Sequence, residues 1–151
     1  MKKEQSPKQL ILDMLKDKAC LKQNIFQNTA ESFKQLKGVL ADIIEDVRDL
    51  FGDSDDRVLL EYNDKGDYEA QIIIGGDVLY FYMHTNVFKF EGTNSLWRTT
   101  YLEEDESRGY VGVINIYNFL ADSIKYNRMS DSGYLIARIF VNKEDHFFVQ
   151  G

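Results

Sequence analysis

Apolar and polar positions alternate with a period of two through residues 58–62, 68–74, 78–83 and 87–90, and turn-forming residues fill the gaps. Asn63, Gly66 and Asp67 sit in the first gap and Gly75-Gly76-Asp77 in the second, so the pattern predicts successive antiparallel hairpins. Leu60 and Tyr62, Ala70, Ile72 and Ile74, and Leu79, Phe81 and Met83 form one apolar face. Val78, Tyr80, Tyr82 and His84 fall on the other face, which is polar at its edge and aromatic at its centre.

Ahead of this sheet the period changes to that of a helix. Ser6 followed by Pro7 reads as an N-cap and first helical residue, opening a short helix that is expected to end between Asp17 and Cys20. A long helix over 21–51 follows, with Phe33, Leu36, Leu40, Ile43, Val47 and Leu50 stepping alternately by three and four. Such a seam suits either a helix laid across the sheet or a helix pair between two copies. Val39 and Ile44 widen the stripe, which favours the sheet. Gly52 stops the helix.

Beyond the hairpins, 96–102 alternates Trp97, Thr99 and Tyr101 against Leu96, Arg98, Thr100 and Leu102 and reads as a further strand. An acidic loop follows at 103–109. Residues 110–114 read as a short strand, 115–127 as a helix on the spacing of Ile116, Leu120 and Ile124, and 130–133 as its break. The chain then closes on a hairpin of 134–142 and 146–150 joined through 143–145. The expected fold is α+β: a largely antiparallel meander sheet, a long N-terminal helix packed on one face, and a short helix before a C-terminal hairpin. Residues 1–20 form a helical arm and 21–151 a single domain, a size that supports one core without staples.

Charge and cysteine count narrow the setting. Net charge is −7, yet residues 1–37 hold eight lysines against four acids, whereas the remainder holds ten basic residues against 21 acidic. An acidic body disfavours nucleic acid as a partner, and a basic arm can fold back, pair with another copy or meet an acidic protein. A lone Cys20 excludes an internal disulfide framework and fits a reducing cytoplasm. No stretch suits a signal peptide or a membrane span, so no membrane partner is expected.

Catalytic signatures are missing: no phosphate-binding loop, nucleophile elbow, zinc-protease helix or paired-cysteine motif occurs. Cys20 has no base placed beside it by sequence, the acidic turn 53–56 lacks the pattern of a calcium loop, and His84 and His146 stand at strand ends. No cofactor, metal site or catalytic residue is therefore expected. Aromatic side chains with polar tips are favoured at interfaces and in pockets. That singles out Tyr80, Tyr82, His84, Trp97, Arg98 and Tyr101 as partner-binding or ligand-binding candidates.

The order of a helix, three strands, a helix and two strands over about 21–150, on an acidic chain, resembles in outline the small dimeric chaperones of bacterial secretion systems. The resemblance implies an extended partner segment held against a sheet and carries no residue roles. The expected function is a non-enzymatic cytoplasmic binding or regulatory domain. It would act as a homodimer, engaging a protein segment or small ligand through the aromatic face. Its rivals are an enzyme whose site gathers dispersed residues such as His84 and Arg98, and an accessory subunit docking through its basic arm.

Overall fold

The computed structural model describes residues 4–120 and 133–151. It opens on a helical rod in which α1 (Pro7–Met14) passes through a π-helical segment (Leu15–Ala19) into α2 (Cys20–Phe51). The Ser6 hydroxyl accepts from the Gln9 N–H at 3.2 Å, as the cap signal implies. The expected gap between two helices is closed by the π turn, which keeps the backbone hydrogen-bonded without a break. Gly52, at φ +57°, ends the rod where an L side chain would be strained.

Among the described residues seven strands follow: β1 (Leu60–Asp64), β2 (Glu69–Ile74), β3 (Asp77–Met83), β4 (Phe88–Lys89), β5 (Tyr110–Leu120), β6 (Tyr134–Val141) and β7 (Phe147–Gln150). They form an antiparallel sheet in the order β1-β2-β3-β5-β6-β7, with β4 paired to the start of β5. The α+β class, the long helix, the three hairpin strands and the closing hairpin stand as the sequence pattern predicts. A bulge at Ile136 on β6 shifts the register between the Ile116–Ala137 and Tyr117–Leu135 pairs.

Two segments differ from expectation. Residues 96–102 are not a strand but a 3₁₀ turn (Ser95–Arg98) leading into α3 (Thr100–Glu104). Asn94 Oδ1 accepts from the Leu96 N–H and Thr99 Oγ1 from the Leu102 N–H, and these two side-chain caps outweigh the apolar alternation. The helix expected from residue 115 is strand as far as Leu120, because β5 pairs with β3 from Asp77–Leu120 to Met83–Ile114 and with β6 on its other side. Ladders on both edges override a helical spacing of apolar residues. The short helix instead stands earlier, at Thr100–Glu104. The remainder of the expected helix, 121–127, and most of its break lie outside the described residues.

The core lies between α2 and one sheet face. Phe33, Leu40 and Ile44 from the helix meet Ala70, Ile72, Phe81, Met83 and Ile114 from the strands. The buried helix line runs Ile25, Thr29, Phe33, Leu40, Ile44, while Ile43 and Leu50 of the expected seam are exposed. A sheet needs a broader stripe than a helix partner does, and the line shifts sideways to supply it. Closest approach comes at Gly112 on β5, where an added Cβ would lie 2.0 Å from Thr29 Oγ1. Replacing Gly112 with Ala is expected to cost about 3 kcal/mol by overpacking, read as a lower urea midpoint. Thr29→Gly in the same chain should recover part of the loss.

Candidate partner-binding groove

The register that buries Leu79, Phe81 and Met83 under α2 turns Tyr80 and Tyr82 to the opposite face. Tyr80 pairs there with Tyr117 and Tyr82 with Asn115; on the next strands Asn115 pairs with Arg138, Val113 with Phe140, and Phe140 with Phe148. After β3 the chain leaves the sheet at His84, returns briefly as β4, and runs through α3 as a cover over part of this face. Between cover and sheet lies an open groove of about 630 Å³, with His84, Phe88 and Phe90 on one wall and Val113, Tyr117 and Phe140 on the other.

His84 is the predicted residue placed most directly on the groove. Its Nδ1 accepts from the Asn86 N–H at 3.0 Å, and its ring meets Phe88 edge-on at 4.8 Å. Among the described residues Nε2 has no hydrogen-bond partner, which leaves that nitrogen to meet a guest. Tyr82 adjoins it, ring to ring at 6.1 Å. Tyr80 lies further along the sheet, donating to Glu69 Oε2 at 2.5 Å; burial, and then that carboxylate, push its phenol up to about 12.

The other three candidates belong to the cover. Trp97 donates its indole N–H to the Phe90 and Glu91 carbonyls at 3.2 and 2.8 Å, and an added Cβ at Gly109 would meet its ring at 2.3 Å. Trp97 thus does not line the groove but ties the Phe90–Glu91 backbone to Gly109 within the cover. Arg98 is exposed and does not line the groove. Tyr101 lies at the far end, its ring stacked on His146 at 4.9 Å under the Arg108 guanidinium. It lines a second, smaller cavity of about 260 Å³ that shares Phe90, Val111 and Phe140 with the groove and opens onto Phe147 and Phe148 of β7. The six candidates therefore divide between the sheet and its cover.

Sequence reading missed the lock that holds cover, helix and hairpin together. Buried Asn142, at the end of β6, donates to Tyr101 Oη at 3.0 Å and to the Arg108 carbonyl at 3.3 Å. Its Oδ1 accepts from the Glu144 and His146 N–H groups, and its carbonyl accepts from Asn28 of α2. Around it, Arg108 pairs with Glu144 at 2.6 Å and Glu104 at 3.1 Å, and Lys143 pairs with Asp105 and donates to Ser107. Lys143, then the Ser107 hydroxyl, draw the Asp105 carboxyl down to about 2. The contacts that tie the cover to the hairpin and to α2 join residues 34 to 114 positions apart, so no local signal marks them.

The arrangement offers stacking surfaces, an imidazole and exposed β-strand backbone. Among the described residues, no group of three or more His, Cys, Asp or Glu side chains is placed to hold a metal ion. No helix of the described residues is long and apolar enough to cross a membrane. No protein-family model matches the chain, and neither a curated protein nor a solved structure shows significant similarity to it.

Asn142→Leu, close in volume but without polar atoms, is expected to lower unfolding free energy by about 3 kcal/mol by stranding its buried partners, measurable by urea titration. The carboxyl of Asp105 is more acidic folded than unfolded, so its share of stability is full above the unfolded value near 4 and drains away as pH falls toward about 2. Thermal melts should show that acid-side loss, and Asp105→Asn should be less stable at pH 7 with a shallower fall below pH 4.

Proposed function

We propose that this protein is a binding domain that takes up an extended segment of another protein, adding it as a strand beside β7 with its side chains reaching into the aromatic groove. The observation that carries this reading is the outer edge of β7. Asn142 donates to the His146 carbonyl at 3.0 Å, and alternation then makes Phe140–Phe148 and Arg138–Gln150 the hydrogen-bonded pairs. The backbone groups of Phe147 and Val149 therefore point away from β6, and β7 ends the strand order among the described residues.

Nothing on β7 discourages pairing. Phe147, Phe148, Val149 and Gln150 carry no charge, no proline and no bulge, and all four are exposed. Unprotected edges of this kind recruit another strand. At the opposite edge β1 carries Glu61 and Asp64, and Arg48 donates to the Leu60 carbonyl at 2.5 Å. Main-chain pairing would supply affinity, and the pockets at Phe148 and Phe140 would read alternate side chains. An enzyme assembled from dispersed residues finds less support, since Arg98 stands apart from His84's groove.

A displayed library of ten-residue peptides tests the reading. The intact domain should enrich sequences with apolar residues at every second position. Val149→Pro removes an outward N–H without touching the β6 ladder, so it should weaken capture by about tenfold or more at an unchanged urea midpoint. Full capture by the folded proline variant would remove the proposal.

A further inference from the structure

The rod leaves two surfaces uncovered. Near its start Leu10, Ile11, Leu12, Met14 and Leu15 are each about half exposed, and no residue of α1 or the π segment is buried. Near its end Val39, Ile43 and Leu50, which is 89% exposed, fall on one line of α2. That line is bordered by Asp42, Asp46 and Asp49.

The two surfaces are complementary in charge. Residues 7–22 hold four lysines against two aspartates, and residues 39–53 hold five acids against one arginine. Each joins a strip of apolar side chains to charges of one dominant sign, which suits docking of one against the other. Both lie on one continuous helix, so Met14 and Ile43 of the same chain are held roughly 40 Å apart by the helical rise. A rod cannot fold onto itself. The partner that carries the matching surface at the matching distance is a second copy.

We propose that the protein forms a two-fold dimer in which the rods run antiparallel and the basic, apolar start of each lies on the acidic half of the other. Set level at Ser32, the pairing brings Met14 beside Leu50, Lys18 beside Asp46 and Lys22 beside Asp42, each charged pair one turn from the next. Two-fold symmetry makes each contact twice. The opposed helix dipoles add to the attraction. This interface uses neither β7 nor the aromatic groove, so a dimer of this kind presents two partner sites.

Sedimentation equilibrium of the full chain at low ionic strength tests it. The protein should sediment as a dimer that added salt weakens. Lys18→Glu with Lys22→Glu should raise the dissociation constant by about tenfold or more, and adding Asp42→Lys with Asp46→Lys to that chain should restore it. These side chains are exposed, and circular dichroism should show unchanged helix content in every variant. A protein that stays monomeric, a dimer indifferent to the first charge swap, or a four-fold variant as weak as the two-fold one would each overturn the proposal.

Discussion

The structure depends on how closely α2 can approach β5. Gly112 presents bare backbone to Thr29, so helix and sheet meet at a distance that a single Cβ would forbid. Thr29 is fully buried there, and its hydroxyl is satisfied by donating to the Ile25 carbonyl at 2.7 Å, which leaves no stranded polar atom in the contact. Ile25 and Phe33 lie one turn to either side, and both are fully buried. With the helix pinned on β5, its later turns cross β3 and β2 toward β1, where Arg48 reaches the Leu60 carbonyl. One face of the sheet is spent on this packing, and the other is left for the cover and the groove.

The cover is held by a different kind of force. Leu102 and Trp97 bring apolar area to it, but its position is set by Asn142 and the charged residues around it. A buried amide that makes all of its hydrogen bonds fixes geometry more narrowly than hydrophobic contact does, since each bond tolerates little displacement. The same residue meets α2 through its backbone carbonyl, which accepts from Asn28, and its side chain meets the β6–β7 turn at the Glu144 and His146 N–H groups. Cover, helix and hairpin are thus tied through one residue. The edge strand β7 stands outside that lock, with its backbone groups and three apolar side chains exposed.

Legibility followed the range of the interactions. Ser6 and Pro7, Gly52, the turn glycines and the period-two alternation of 60–83 act within a few residues, and they placed the start and end of the rod and the three hairpin strands correctly. Local reading failed where two local signals competed: Asn94 and Thr99 cap helical turns inside a stretch that alternates like a strand. It failed again at Ile116 and Leu120, whose helical spacing was overruled by neighbouring strands on both sides. For the site, alternation put Tyr80, Tyr82 and His84 on the face away from the helix, whereas Arg138, Phe140 and Phe148 came into view only once β5, β6 and β7 were aligned.

What the chain determined by itself was its class: a long amphipathic rod, hairpins with one apolar face, and a charge divided between a basic start and an acidic body. Periodicity and capping are properties of neighbouring residues, and no folded partner is needed to express them. Which rod residues are buried, which half of the aromatic face is covered and which sheet edge stays open were decided only by the tertiary structure. Those depend on pairs such as Thr29 with Gly112 and Asn142 with Tyr101, whose meeting is a matter of packing in space and leaves no mark on the order of residues.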